Sequence, residues 1–465
     1  MTLHLPLLLA YAAVLVGVGL WVGRRVQSAD GFFVAGRGLG PGLLFATLIA
    51  ANIGAGSTVG AAGLGYRDGL AGWWWVGAAG FGSLVQAFWI GPRMRRVAEE
   101  HRLRTVGDYL EFRFGPRVRV VTSVLLWVGT VAILAGQLIA MSTLFSAMIG
   151  SPKWVGCLLG GVVVTAYFTA GGLLSSAWVN VVQVVVKFAG FALAFPVALA
   201  ALGGWEGFRA ALPADPGYVD PWRNGASGWM YLALLGPAFI VSPGLLQKIF
   251  GARDDRTVRI GVGLNALVLL GFAAVPVLMG MMARVSHPAL ASPQLALPTL
   301  LVHDVPVGIG ALGLAALFSA EVSSADAILF MLATSLSQDL YKRTLRPSAT
   351  DAQVLRVARF AAVAGGGLGI AIALAADTIV GTLSFFYSVL GVCLFVPIVG
   401  GLTVRRVDTR ATLWAIVGGI VVMLGLRLGA GEAWHGLTPA MVGLATALLA
   451  AAGSVALGPA RAGSR

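Results

Sequence analysis

Thirteen apolar stretches follow one another along this chain, and each is long enough to cross the ~30 Å hydrocarbon core of a bilayer. They lie near residues 4–23, 42–64, 72–92, 120–149, 154–170, 175–202, 228–246, 261–283, 307–336, 358–376, 379–402, 411–428 and 438–458. Only 11% of the residues are charged, against roughly 25% in soluble domains. The sequence therefore predicts an all-α integral membrane protein with about 13 transmembrane helices, and it excludes a soluble enzyme.

The basic residues indicate how the chain is oriented in the membrane. If the N-terminus lies outside, the loops after spans 1, 3, 7, 9 and 11, together with the C-terminal tail, carry 25 of the 32 Lys and Arg residues. Positive charge accumulates in cytoplasmic loops. We therefore expect an N-out/C-in, multi-pass protein of the plasma (bacterial inner) membrane. The net charge of +13 reflects this topology and does not indicate a nucleic-acid partner.

The second apolar stretch contains residues that neither form a good helix nor suit contact with lipid. Asn52, Gly54, Gly56, Ser57 and Thr58 all fall near the middle of the predicted span. Irregular backbone at this depth is tolerated where it lines a cavity, and broken helices mark the binding sites of transporters. The alternative is close helix packing through small residues. The pattern favours a functional break in the helix.

A second break is predicted in the seventh stretch, which contains Pro237 and the run Ser242-Pro243-Gly244. It comes five spans after the first break, so spans 2–6 and 7–11 would form two five-helix units of opposite orientation. We expect an extra N-terminal helix and link at 1–41, a core at 42–402, and two C-terminal helices with a short tail at 403–465. The two repeats of the core would cover about 42–202 and 228–402.

The ninth stretch carries polar and acidic residues that are costly at this depth unless they face a cavity or a partner. These residues are Glu321, Ser323, Ser324 and Asp326. Hydroxyl and carbonyl oxygens are the ligands that hard cations prefer. The ninth stretch is therefore predicted to contribute to an ion site.

Two further polar residues, Asn180 and Lys187, lie in the sixth stretch. A lysine at mid-membrane needs a carboxylate partner or a change in protonation. Glu321 and Asp326 are the candidate partners, and the sequence favours Asp326. The alternative is an ion pair whose role is only structural.

Four motifs extend these observations: Ser28–Arg37, Ala50–Gly54 with Gly63–Tyr66, Gln247–Lys248, and Gln338–Arg343. On these motifs the chain resembles the sodium:solute symporter family over nearly its whole length. The resemblance implies the LeuT-type fold, with two inverted five-helix repeats plus flanking helices, and transport by alternating access. It implies sodium as the coupling ion and a small organic solute as the substrate.

The resemblance also implies the site residues. By motif, the conserved sodium site falls on carbonyl and hydroxyl oxygens of Ala50, Ile53, Ala320, Ser323 and Ser324. The implied substrate site comprises Asn52, Ser57, Thr58, Phe239, Ser242, Phe385 and Tyr387. Asn180 stands where many relatives carry an aspartate that supports a second sodium ion, so we expect one sodium ion per solute.

The sequence thus predicts a secondary-active symporter that couples inward sodium flow to solute uptake, and not an enzyme. Apolar residues before Gln247 disfavour a sugar as the substrate. One alternative is a proton-coupled or sodium-independent carrier that uses Lys187, since a fifth-helix lysine stands in for sodium in some LeuT-type proteins. Another is a transporter-like membrane sensor. The identity of the solute is left open.

Overall fold

Helices account for almost all of the chain in the computed structural model, which describes residues 3–23, 37–223, 228–431 and 437–457. For residues 16, 19–23, 166–178 and 430 only the helical backbone is described. No strand occurs within these ranges, and an isolated bridge joins Leu39 to Ala252.

The helices are numbered in chain order. They are α1 His4–Gly23, α2 Pro41–Asn52, α3 Ala61–Asp68, α4 Trp73–Val85, α5 Gly91–Glu100, α6 Val106–Phe114, α7 Pro116–Ile149, α8 Lys153–Ala201, α9 Gly204–Ala210, α10 Tyr231–Ile240, α11 Pro243–Phe250, α12 Asp255–Phe272, α13 Ala274–Ser286, α14 Ala296–His303, α15 Val307–Thr334, α16 Asp351–Ala375, α17 Ile379–Phe395, α18 Thr409–Ala430 and α19 Pro439–Leu457. Wider, π-helical turns continue several of them at Gly56–Gly60, Gln86–Ile90, Ser335–Leu345 and Val396–Gly400.

Each predicted apolar stretch overlaps helical structure. In the described part of the chain nine helices are long and apolar enough to cross a membrane, and a tenth span is formed if α2 and the bent helical run Gly56–Glu100 count as one. The chain is therefore a multi-pass membrane protein. The total of 13 spans and the N-out orientation stay predictions. A single helix, α8, runs through the fifth and sixth predicted stretches, and the predicted boundary between them, at 171–174, falls on residues whose side chains are not described. Most of the motif at Ser28–Arg37 also lies outside the described residues.

Close contact between α3 and α13 depends on two glycines. A Cβ atom on Gly65 would lie 2.2 Å from the Val277 carbonyl oxygen, and one on Gly280 would lie 1.9 Å from the Ala62 carbonyl oxygen. No larger residue fits at either position without moving the backbone. Small residues allow this approach, which is how helices associate in lipid.

The C-terminal end of α3 is covered by the segment that follows α9. The buried Tyr218 phenol donates to the carbonyl oxygen of Gly65 at 2.8 Å, and the Trp74 indole donates to that of Pro221 at 2.8 Å. Burial raises the pKa of the Tyr218 phenol above its usual range, so the group stays a neutral donor. These contacts hold the second half of the broken helix in place.

Candidate functional site

The predicted break in the second stretch is present, and it lies at Ile53–Ala55. Helix α2 ends at Asn52, and the chain turns by 61° before the helix resumes at Gly56. A Cβ atom on Gly54 would lie 2.1 Å from the Ser324 hydroxyl oxygen, so only glycine fits at the turn. The break therefore brings α2 and α15 into direct contact.

Side chains satisfy the backbone groups that this break releases from helical bonding. The Ala55 amide donates to the Gln137 side-chain oxygen at 2.9 Å, and the Gly54 amide donates to the Ser57 hydroxyl at 2.9 Å. Buried backbone groups need such partners. Gln137, which the sequence analysis did not single out, thus fixes the geometry of the turn from α7.

The break in the seventh stretch is also present, between the end of α10 at Ile240 and the start of α11 at Pro243. The Gln86 side-chain amide donates to the carbonyl oxygens of Phe239 at 3.1 Å and Ile240 at 3.3 Å. Proline at the first helical position has no N–H group to satisfy. A buried glutamine in an otherwise apolar span is the sequence pattern that could have indicated both Gln86 and Gln137.

Lys187 of α8 reaches the first break and is fully buried. Its ammonium nitrogen lies 3.0 Å from the Ala50 carbonyl oxygen, 3.0 Å from the Ile53 carbonyl oxygen and 2.6 Å from the Ser323 hydroxyl oxygen. The Ser323 hydroxyl donates in turn to the Ala50 oxygen at 2.7 Å. An ammonium group has three donors, and here each has an acceptor. Carbonyls at the end of a half-helix also carry partial negative charge, which favours a cation.

Three of the five predicted sodium ligands thus surround a lysine ammonium. The Ala320 carbonyl oxygen lies 3.2 Å from the Ser323 hydroxyl, and the Ser324 hydroxyl donates to the Ala51 carbonyl at 3.0 Å. The oxygens suit a sodium ion, but the ammonium occupies the position. Two unit charges about 3 Å apart repel by roughly 5 kcal/mol at an effective dielectric constant near 20. A sodium ion therefore does not fit here while Lys187 is charged and in place.

The pairing of Lys187 with Asp326 stays a prediction. Glu321 acts electrostatically on Lys187, and its carboxylate lies 3.2 Å from the Thr58 hydroxyl oxygen. Asp326 acts electrostatically on Lys248 of α11, and the Lys248 ammonium donates to the Thr47 carbonyl oxygen at 2.6 Å. Lys248 is one of the 25 basic residues that the sequence analysis counted in cytoplasmic segments, but only 3% of its surface is exposed. Two buried lysines therefore bind carbonyl oxygens of the first half of the broken helix.

Next to the first break lies a central cavity of about 70 Å³. Five of the predicted substrate residues line it, namely Asn52, Ser57, Phe239, Ser242 and Tyr387. Thr58 does not, because its hydroxyl donates to the Gly54 carbonyl behind the turn. Phe385 does not either, and its ring lies below the Arg427 guanidinium. Asn180 is buried in α8, two turns before Lys187.

The central cavity is uncharged and largely apolar, with a few polar side chains in its described lining. No Asp, Glu, Lys or Arg is among its described lining residues. The Ala55 amide can only donate, so the Gln137 side chain turns its oxygen to the backbone and its NH₂ group away from it. Trp75, which sequence analysis also missed, adds an aromatic wall. The cavity can thus bind a small solute by stacking and by amide hydrogen bonds.

Aromatic side chains lie between the central cavity and a larger cavity of about 800 Å³. We call the larger one the outer cavity, after the side of the membrane on which the predicted topology places it. The ring centroids of Trp75 and Tyr231 are 5.0 Å apart, and those of Phe239 and Tyr387 are 5.4 Å apart. Trp75 lines the central cavity and Tyr231 the outer one. The contact between the two rings therefore forms part of the barrier between the cavities.

Comparisons with known proteins agree with this architecture. The profile of the sodium:solute symporter family matches residues 32–419. A sodium/glucose cotransporter from Vibrio parahaemolyticus is 27% identical over 393 residues, covering 76% of this chain and 71% of the relative. The high-affinity proline transporter PutP of Bacillus subtilis is 24% identical over 419 residues, covering 87% of each chain. The solved outward-open structure of a Na⁺-coupled sialic acid symporter has a TM-score of 0.82 at 19% identity, covers 98% of both chains, and shares the fold.

Proposed function

The chain belongs to the sodium:solute symporter family, and from that premise we propose that it takes up a small organic solute with the Lys187 ammonium in place of the coupling sodium ion. The family and the relatives are transporters, so the chain is a transporter and not an enzyme. We place it in the plasma membrane, where the predicted topology allows uptake by alternating access.

The observation that carries this proposal is the set of three oxygens around the Lys187 ammonium. Two are backbone carbonyls at the end of α2, and the third is the Ser323 hydroxyl on α15. A bound cation at this point would tie the two helices together. The lysine supplies the same charge from α8 without an ion from solution.

A lysine differs from sodium because it can release a proton. The neutral amine has one donor fewer than the ammonium and no charge, so it holds the three oxygens less strongly. Loss of the proton would then loosen the contact between α2 and α15. We infer that proton binding and release at Lys187 replace sodium binding and release in the transport cycle, and that the proton gradient drives uptake.

The second candidate is the sodium-coupled symport of one sodium ion per solute that the sequence implies. Family membership and the names of the relatives support it. For this candidate, the Lys187 side chain must leave its three oxygens before sodium binds to Ala50, Ile53 and Ser323. The two candidates therefore make opposite predictions about uptake in sodium-free buffer.

Uptake into reconstituted vesicles distinguishes them. A ligand is first found by screening amino acids, carboxylates and quaternary amines for a rise in melting temperature in potassium buffer, since a ligand of the native state stabilises it. The radiolabelled ligand is then offered with an acid-outside proton gradient alone, or with a sodium gradient alone.

We expect accumulation with the proton gradient and none with the sodium gradient. Lys187→Met should abolish accumulation, whereas Lys342→Met, a substitution of a half-exposed lysine away from the break, should not. Accumulation that requires sodium in the wild type would contradict the proposal and establish the second candidate. Equilibration without accumulation under either gradient would exclude proton coupling and leave a sodium-independent carrier.

A further inference from the structure

The outer cavity differs from the central one in its charge. Two arginines, Arg67 and Arg427, line it, and no acidic side chain is among its described lining residues. Its other polar side chains carry hydroxyl and amide groups and include Ser292, Gln294, Thr378, Ser384, Ser388 and Thr438. The described lining of the outer cavity therefore carries positive charge and no negative charge.

The two arginines are not equivalent. The Arg67 guanidinium donates to the neighbouring Asp68 carboxylate at 2.7 Å. Arg427, in the last turn of α18, has no ion pair and no hydrogen bond within the described ranges. Its guanidinium carbon lies 5.3 Å from the centroid of the Phe385 ring. This cation–π contact holds the guanidinium over the ring but uses none of its N–H groups.

Arg427 is half-buried, and its guanidinium has five N–H donors and a permanent charge that need partners. A planar guanidinium matches the two oxygens of a carboxylate or a phosphate. The first turn of α19, at Thr438, Pro439 and Ala440, lines the same cavity, so the positive end of a 19-residue helix adds to the field of Arg427.

We propose that the outer cavity binds an oxyanion, a carboxylate or a phosphate group, through the Arg427 guanidinium. The group belongs either to an anionic solute that pauses outside the aromatic contact of Trp75 and Tyr231, or to the headgroup of a lipid. The same chemistry serves both sources. The site does not depend on what occupies the oxygens around Lys187, and it can be tested without sodium.

The test uses the full-length protein in potassium buffer, with benzoate as the carboxylate probe and benzamide as its uncharged counterpart. Melting temperature is followed as each probe is titrated into the wild type, Arg427→Gln, Arg427→Lys and Arg223→Gln. Arg223 is an outer-loop arginine paired with Asp215 and does not line the cavity, so it is the matched control. Native mass spectrometry counts the phosphatidylglycerol molecules retained by each variant.

If the ligand is a solute, benzoate raises the melting temperature of the wild type and of Arg223→Gln, and benzamide does not. Arg427→Gln then weakens benzoate roughly 10- to 100-fold, as expected for the loss of one charge-assisted contact. Arg427→Lys weakens it less, because the charge remains but the planar fork is lost. If the ligand is a lipid, Arg427→Gln retains one phosphatidylglycerol fewer than the wild type, and benzoate displaces that molecule.

The proposal is overturned if Arg427→Gln leaves both the benzoate shift and the lipid count unchanged. It is also overturned if benzamide binds the wild type as well as benzoate does and no lipid is lost. Should Arg427→Gln fail to purify, Arg427→Met, which keeps the aliphatic stem over Phe385, takes its place in both measurements.

Discussion

Removing the Lys187 charge tests how the buried charges are arranged. Lys187→Met deletes the donor of three hydrogen bonds and leaves Glu321 without its opposite charge. Removing one partner of a buried charged pair costs about 3–5 kcal/mol. Native proteins are stable by only about 5–15 kcal/mol, so the variant should melt well below the wild type.

The size of the rescue identifies the partner. Lys187→Met with Glu321→Gln removes both charges, so the remaining cost should be that of the three lost hydrogen bonds, roughly 1.5–4.5 kcal/mol. Lys187→Met with Asp326→Asn should not be rescued, because it leaves Glu321 uncompensated and also takes the acid away from Lys248.

The assay is the melting temperature of detergent-purified protein, with the fraction of monodisperse protein after expression as a second readout. The predicted order, from highest to lowest, is wild type, Lys187→Met/Glu321→Gln, Lys187→Met, and Lys187→Met/Asp326→Asn. Equal rescue by both second substitutions would show that the two acids act on Lys187 to the same extent and that neither forms a specific pair with it. Rescue by Asp326→Asn alone would refute the arrangement and restore the pairing expected from the sequence.

Two further substitutions test the broken helices. Gly54→Ala places a methyl group 2.1 Å from the Ser324 hydroxyl oxygen, so the melting temperature and solute binding should both fall. Ser324→Gly in the same chain should restore part of each. No recovery would mean that the backbone of the turn, and not this clash, requires glycine at position 54. Gln86→Leu leaves the carbonyl oxygens of Phe239 and Ile240 without their donor and should cost about 1–3 kcal/mol relative to the wild type. An unchanged unfolding midpoint would argue that the amide does not support this break.

Much of the fold could be predicted because the bilayer imposes strong constraints. Apolar stretches of fixed length must become helices, since lipid offers no partner for backbone groups. The two breaks followed from residues with clear local consequences, glycines next to Asn52 and proline at position 243. The profile match and the fold agree with the family that the motifs implied.

The positions of long side chains could not be predicted in the same way. The Lys187 side chain reaches across to a different helix, and no spacing along α8 shows that its ammonium ends on the Ala50 and Ile53 oxygens. Lys248 was counted with a loop because the predicted span ends at residue 246, whereas α11 carries it into the core next to Thr47. Which acid faces which lysine depends on helix rotation, and periodicity alone does not fix it.

The most direct test of the central claim is whether removing Lys187 creates a sodium site. Melting temperature is measured in sodium chloride and in potassium chloride at equal ionic strength for the wild type, Lys187→Ala and the matched control Lys248→Ala, whose ammonium contacts a single carbonyl oxygen. The wild type and the control should melt alike in both salts. Lys187→Ala should gain sodium-specific stability, about 2.7 kcal/mol when sodium is at 100 times its dissociation constant, because the emptied oxygens of Ala50, Ile53 and Ser323 then hold the ion opposite Glu321. A sodium-specific shift in the wild type that equals or exceeds that of Lys187→Ala would contradict the account.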